Sequence, residues 1–341
     1  MNKDLEWYRN QVKYLLQQPQ PQQKSPEWFK ARHNRITASE AASCLFLTEE
    51  ICKPYVEAFN IKKFKYNPSK SVSHYDSYED YIIKKCSSFY NTLSFKDTIY
   101  TLHGKKYEDI ALRLYKKKFN TDVYEFGLLQ HPTEPYLAAS PDGITPDGIM
   151  IEIKCPYSRK IQKNEPPIWY YIQMMCQLEV ANLDRCDFLE CEIKELSYDD
   201  FIKLENLNNN DYGILINNIN EDDNSPNKYI YPPLELNTIK DYITWSSNIL
   251  TQNQECIFFI IEKWHVIEVY RNPLWFNSIK HYFKQTMDII QKYQSNKELF
   301  DNFCESIYLQ RNKYYIDKYN STECLIDNNE EELINDIFCL I

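Results

Sequence analysis

The sequence predicts an α/β fold, a mixed central sheet flanked by helices, and three observations carry that reading. Apolar residues Tyr107, Ile110, Ala111, Leu114 and Tyr115 recur at helical spacing between Leu102 and Phe119. Two strand-like runs, Tyr136 to Thr145 and Ile149 to Lys154, flank Pro146-Asp147-Gly148, a tripeptide with hairpin chemistry. A strong helical pattern from Pro167 to Asn182 is followed by a strand pattern from Asp187 to Ile193.

The remaining elements read in order as follows. Residues 1–24 hold a short helix and then a Gln/Pro stretch, Gln17 to Gln23, that reads as a linker. Ser25-Pro26 starts a helix bearing Trp28, Phe29 and Arg32, because a serine oxygen can cap free amides and proline tolerates the first helical position. Thr37-Ala38-Ser39-Glu40-Ala41-Ala42 is a second helix start with Thr37 or Ser39 as its cap. The Tyr- and Lys-rich stretch 52–96 yields one helix, around Tyr78 to Tyr90, and Tyr124 to His131 reads as a strand. Residues 195–255 are acidic and Asn-rich, as in Asn206 to Asn210, and read as an insertion. β-Character returns from Cys256 to Tyr270, and a helix runs from near Pro273 to about Tyr293. Three parts follow: an extension over 1–24, a main domain over 25–294 interrupted by the insertion, and a helical tail over 295–341.

Composition narrows the function classes. With 341 residues, 43% hydrophobic and 15% aromatic, the chain can bury a substantial core. Five glycines against 28 tyrosines, with abundant Asn, Ile and Lys, resembles the residue usage of AT-rich genomes. Eleven scattered cysteines form no CxxC pair, which disfavours a structural zinc or iron–sulfur site. No signal-peptide pattern opens the chain and the most apolar run, near Ile257 to Ile261, is too short for a bilayer, so the expectation is a soluble intracellular protein with reduced thiols. A net charge of −10 argues against a general polyanion binder. Any nucleic-acid contact must come from local groups: Arg32 with Arg35, the run Lys105 to Lys118, or Arg159, Lys160 and Lys163, each of which also fits an ordinary solvated face.

The chemistry concentrates in Ser140-Pro141-Asp142-Gly143 and Glu152-Ile153-Lys154. A hairpin closed over Pro146 to Gly148 sets Asp142 opposite Glu152. Alternation turns Ile149, Ile151 and Ile153 to one face and Glu152 with Lys154 to the other, toward a cleft. Two adjacent carboxylates repel unless a cation neutralises them, and such oxygen ligands suit magnesium or manganese. A metal there would serve phosphodiester hydrolysis, with Lys154 placed to orient the attacking water. The same string taken alone equally fits a surface hairpin with a cross-strand ion pair. Glu108, beside the apolar stripe of its helix, can lean toward the same spot. Gln173 and Gln177 share a face with Trp169, away from the stripe of Ile168, Ile172, Cys176 and Val180, and can hold the water or the strand. Arg32 with Ser39 at a helix start makes either a phosphate pocket or a plain cap with a surface arginine.

Taken in order, these pieces resemble the lambda-exonuclease-like, or YqaJ-like, viral recombinase family of the PD-(D/E)XK nuclease superfamily. The matching pieces are Trp28 to Arg32 with Arg35-Ile36-Thr37-Ala38-Ser39, then His103-Gly104-Lys105-Lys106-Tyr107-Glu108, Ala139 to Gly143 with Ile151 to Pro156, Tyr170 to Gln173, and Trp264 to Phe276. The resemblance implies a restriction-endonuclease-like core. In it Asp142, Glu152 and the Ile153 carbonyl would hold Mg²⁺ or Mn²⁺, with Glu108 serving a second metal. Lys154 would serve the attacking water, Gln173 would support the site, and Arg32 and Ser39 would receive a terminal 5′-phosphate. The implied activity is 5′-to-3′ digestion of double-stranded DNA ends for recombination or repair. A single-strand annealing partner, a homo-oligomer such as a toroidal trimer, and a virus-encoded protein in host cytoplasm complete what it implies. Two departures stand out: Met175 occupies the place of a second family glutamine, leaving that contact absent or supplied by Gln177, and 195–255 lies outside the family core. Two alternatives remain, a structure-directed endonuclease on the same core and a non-catalytic DNA-binding scaffold; Lys154 beside two carboxylates speaks against the scaffold.

Overall fold

A computed structural model describes residues 3–23, 25–91, 97–206, 211–223, 225 and 227–321. Its helices begin where the sequence provides caps. Asp4 accepts a hydrogen bond from the Trp7 amide (2.8 Å) to start α1 (Leu5–Gln17), and Ser25 accepts from the Trp28 amide (3.1 Å) to start α2 (Pro26–His33), with proline in its first turn. Then come β1 (Ile36–Thr37), a 3-10 helix (Ala38–Cys44), β2 (Phe46–Leu47), α3 (Glu49–Ala58), β3 (Asn67–Ser71) and α4 (Tyr78–Phe89). The long α5 (Ile99–Phe119) precedes β4 (Leu129–Gln130), β5 (Leu137–Ala139), β6 (Gly143–Ile144) and β7 (Ile149–Lys154). The second half holds α6 (Ile168–Ala181), β8 (Arg185–Leu196), α7 (Tyr198–Lys203), β9 (Tyr212–Asn218), β10 (Tyr229–Ile230), α8 (Ile239–Ile249), β11 (Gln254–Tyr270) and α9 (Pro273–Ser295).

The central sheet has six strands in the order β10-β9-β11-β8-β7-β6. Only β7 and β8, joined through α6, run parallel; the other pairs are antiparallel, so the sheet is mixed. One face packs on α5, where Tyr107, Ile110 and Leu114 meet Ile151, Ile153, Leu189 and Phe259. The other face is covered by α6, which is buried on nearly all sides. A small sheet, β1-β5-β4, lies beside the site hairpin, and β2 pairs with β3. Among the described residues, no helix is long and apolar enough to cross a membrane.

Four expectations change. The run Tyr136 to Thr145 is two strands: β5 belongs to the small sheet and β6 to the large one, with Ser140-Pro141-Asp142 crossing between them. Pro141 has no amide for a ladder, so the strand breaks there. Tyr124 to His131 is likewise not continuous; Tyr124 bridges Ile144 and only Leu129–Gln130 is strand. The reason is that the intervening backbone pairs with the Gln/Pro segment, which is therefore docked and not a free linker. Gln20 accepts from the Gly127 amide (2.6 Å) and the Pro21 carbonyl from the Leu128 amide (3.1 Å). A side chain at Gly127 would place its Cβ 2.0 Å from the Pro21 oxygen, so this approach requires glycine. Lastly, the segment 195–255 supplies β9, which pairs along β11 and buries Ile214, Leu215 and Ile216 completely. Its acidic and Asn-rich flanks hid a short sheet strand; residues 207–210 of that run lie outside the described residues.

The chain divides into two units, residues 1–291 and 292–341. In the second, α10 (Lys297–Ser321) follows the end of α9, and residues 322–341 of the expected tail lie outside the described residues.

The end of α6 is fixed by Arg271, just past β11. Its guanidinium grips Glu179 with two bonds (2.9 and 2.6 Å) and Asn182 with a third (2.6 Å), and both members of the ion pair are largely buried. Arg271→Ala strands the Glu179 carboxylate, and urea unfolding is expected to register a loss of about 3 kcal/mol; a loss below about 0.5 kcal/mol would place the pair in the class of exposed ion pairs.

Candidate active site

The β6–β7 hairpin closes over Pro146-Asp147-Gly148, with the Gly148 amide on the Thr145 carbonyl (3.0 Å) and Gly148 at φ +83°. Its register pairs Gly143 with Ile151 and Ile144 with Met150, which puts Asp142 opposite Glu152. Continuing the ladder one step would pair Pro141 with Ile153. Proline has no amide to offer the Ile153 carbonyl, and the Ile153 amide is taken instead by the Asp142 carboxylate (2.6 Å). The imide thus ends the ladder with one carbonyl unclaimed by β6 and one carboxylate tied to the strand.

Glu152 is fully buried, which corrects the expectation that it faces an open cleft. Helices cover both faces of the sheet, so alternation along β7 separates two covered faces, with the isoleucines under α5 and Glu152 under α6. Its charge is met by three donors: Lys154 and Gln173 on Oε1, the latter at 2.7 Å, and Gln177 on Oε2 at 2.7 Å. Gln173 and Gln177 are both buried, not on a polar face, and both donate to Glu152. Burial alone would lower the Lys154 ammonium pKa, but Glu152 and Asp142 beside it hold it above the usual lysine value. The ammonium also sits 5.0 Å from the Tyr170 ring centre, a partner that spacing alone did not reveal.

Asp142 is in the opposite condition. Burial, Glu152 and Glu108 all push its carboxyl well above the ordinary aspartate value, with Lys154 only partly offsetting them. The local charge balance is therefore short of positive charge at Asp142. Glu108 from α5 lines the same groove of about 790 Å³ as Asp142 and Ile153, with Leu112, Lys105, Lys228 and Tyr231 also on its walls. Among the described residues, no three His, Cys, Asp or Glu side chains already close around one point. The groove presents the Asp142 and Glu108 carboxylates beside Ile153, while Glu152 lies buried under α6; hard oxygens of this kind suit magnesium or manganese, which keep several waters.

Arg32 and Ser39 do come together, through Thr37. The Thr37 hydroxyl accepts from Arg32 (3.2 Å) and lies 3.2 Å from the Ser39 hydroxyl. The Arg32 guanidinium also stacks 4.2 Å from the Trp28 ring centre and stands 3.6 Å from Glu40. Trp28 donates its indole N–H to Ser140 (2.9 Å), and Gln23 donates to the Phe126 carbonyl (2.9 Å) and the Pro141 carbonyl (3.3 Å), so α2 and the N-terminal segment are both fastened to the turn that carries Asp142. The sequence reading missed these tethers, which leave no local signature. It also missed Glu40, although Thr37-x-x-Glu40 is the capping-box spacing: Glu40 accepts from the Thr37 amide (2.9 Å) and from buried Lys85 (2.8 Å).

Residues 27–184 match the model of the YqaJ-like viral recombinase domain, a span that holds Arg32, Ser39, Glu108, Asp142, Glu152, Lys154, Gln173 and Gln177 but not Lys228 or Tyr231. This stretch of the chain is similar to the YqaJ-like viral recombinase domain. Over 316 residues the chain is 30% identical to an uncharacterized protein of Acanthamoeba polyphaga mimivirus, covering 81% of this chain and 52% of that one, so the chain spans about half the length of the curated relative it matches. Among solved structures, it is similar to an alkaline exonuclease from Laribacter hongkongensis (17% identity, TM-score 0.45, 86% of this chain and 100% of that one) and to a phage-related exonuclease from Haemophilus somnus 129PT (12%, TM-score 0.45, 77% and 96%).

Two predictions follow from the geometry. Gln177→Ala removes one of three donors to a fully buried carboxylate and is expected to cost about 1–3 kcal/mol by urea unfolding. Burial would raise the Glu40 pKa, but Lys85, Arg32 and the Thr37 amide together hold it down at about 2. A depressed folded-state pKa contributes stability above the unfolded value of 4.5 and loses it as pH falls toward about 2. Wild type should therefore exceed Glu40→Gln in stability at pH 7, with the gap closing across that window; a gap independent of pH would contradict the assignment.

Proposed function

We propose that the chain is a Mg²⁺-dependent exonuclease that hydrolyses double-stranded DNA from its ends, 5′ to 3′, in viral-type recombination or repair. The observation that supports it most is the pairing of Asp142 with buried Glu152 across the broken hairpin, with Lys154 on the same carboxylate and Glu108 along the groove. A divalent cation held by Asp142, Glu152 and the Ile153 carbonyl, with a second near Glu108, would polarise the scissile phosphodiester and acidify an attacking water. Lys154, charged and anchored between Glu152 and Tyr170, holds that water or steadies the phosphate as charge grows. Gln173 and Gln177 fix the Glu152 carboxylate so that its remaining lone pairs keep one direction.

End preference is assigned to Arg32 and Ser39. They are tied by Trp28 to Ser140, two residues before Asp142, so a terminal 5′-phosphate bound by the arginine and the exposed serine would lie on the same turn as the cutting site. A single-strand annealing protein as partner and assembly into a homo-oligomer belong to the same reading. Structure-directed endonuclease activity is the second reading, since the metal site itself does not encode a need for ends.

Digestion of linear and covalently closed DNA, with magnesium and with chelator, tests this. Magnesium-dependent products from linear DNA alone are expected; equal cutting of closed circles would favour the endonuclease. Asp142→Asn should lower cleavage by on the order of 10³-fold or more while binding in calcium persists. Arg32→Ala should slow digestion of 5′-phosphorylated ends selectively, and an equal slowing on 5′-hydroxyl ends would refute the phosphate role.

A further inference from the structure

Tyr75 lies between β3 and α4, in a stretch whose sequence gave no functional signal. The residue is 67% exposed, yet it is held in place. Its hydroxyl is 2.9 Å from the Tyr170 hydroxyl, its amide donates to Ser73 (3.2 Å), and its ring stands edge-on to Trp169 at 6.4 Å. Trp169 in turn carries His74 stacked at 4.9 Å and 18°. Tyr170 continues the chain of contacts inward: the Lys154 ammonium is 5.0 Å and the Arg159 guanidinium 6.0 Å from its ring centre. An exposed aromatic ring is thus linked, through one hydroxyl pair, to the ammonium that sits on Glu152. Neither the hairpin chemistry nor the 5′-phosphate pocket uses it.

Exposing a large ring leaves apolar area in water, and fixing it removes rotamer freedom; both costs are recovered if a flat partner stacks on it. A nucleobase is such a partner, and stacking accepts any base because each has a π-face. The two cations beside Tyr170, Lys154 paired with Glu152 and Arg159 with Glu190, place positive charge next to the attached phosphates, in a chain whose net charge of −10 makes such spots scarce. We infer that Tyr75 is a base-stacking platform, receiving a nucleobase of the DNA strand adjacent to the phosphate held at Lys154. This deepens the nuclease reading and rests on it for the identity of the strand.

The test measures binding apart from cleavage. A short single-stranded oligodeoxynucleotide carrying 2-aminopurine, added to the full chain in calcium, should be quenched on binding. Tyr75→Ala should abolish the quenching and weaken binding by about tenfold. In magnesium it should raise KM on duplex ends while kcat stays within about twofold. Tyr75→Trp and Tyr75→Phe, which keep a ring, should retain quenching. Wild-type affinity and quenching in Tyr75→Ala would overturn the platform. So would a fall in kcat at constant KM, or a loss in Tyr75→Phe equal to that in Tyr75→Ala, because both mark a residue acting only through Tyr170 on Lys154. Tyr75-dependent binding by a wild type that cuts no DNA would sink the nuclease reading and leave the platform standing.

Discussion

A carboxylate with no exposure to water is the constraint around which the site is organised. Glu152 is tolerated inside the protein because Lys154, Gln173 and Gln177 converge on its carboxylate as donors. That requirement fixes the distance between β7 and α6, and α6 is in turn locked at its far end by Arg271. The parallel β7-α6-β8 crossover therefore serves two purposes, closing the sheet and aiming donors at one side chain. Asp142 accepts from the Ile153 amide, while burial, Glu152 and Glu108 hold its carboxyl well above the ordinary aspartate value, so two neighbouring acids sit in contrasting surroundings.

The second organising feature is the break at Pro141. By interrupting a strand that would otherwise run through both sheets, it lets Asp142 stand at the seam, and the loss of one ladder bond leaves the Ile153 carbonyl unclaimed by β6. Trp28 and Gln23 meet the same turn from different directions, so three separate parts of the chain set the position of one aspartate.

The hairpin was legible because its information is local. Turn chemistry at Pro146 to Gly148 fixes the register, and register alone brings positions 142 and 152 together. Helices α5 and α6 were legible from apolar spacing, and α9 from its start near Pro273. What the sequence concealed is nonlocal: the docking of Gln20 and Pro21 on residues 127 and 128, the burial of Glu152 under a second helix, and the membership of β9 in the sheet. Gln173 and Gln177 read as a polar stripe because glutamine on a helix usually faces water; a buried charge nearby reverses that rule. Tyr75 could not be singled out among 28 tyrosines without knowing which one meets Tyr170.

The docked N-terminal segment has a consequence for how the molecule is made. Gln23 reaches the Pro141 carbonyl across a separation of 118 positions, and Gln20 reaches Gly127 across 107. Gln20 and Gln23 find these partners only after more than a hundred further residues have been made, so the seam beside Asp142 is among the last parts to settle.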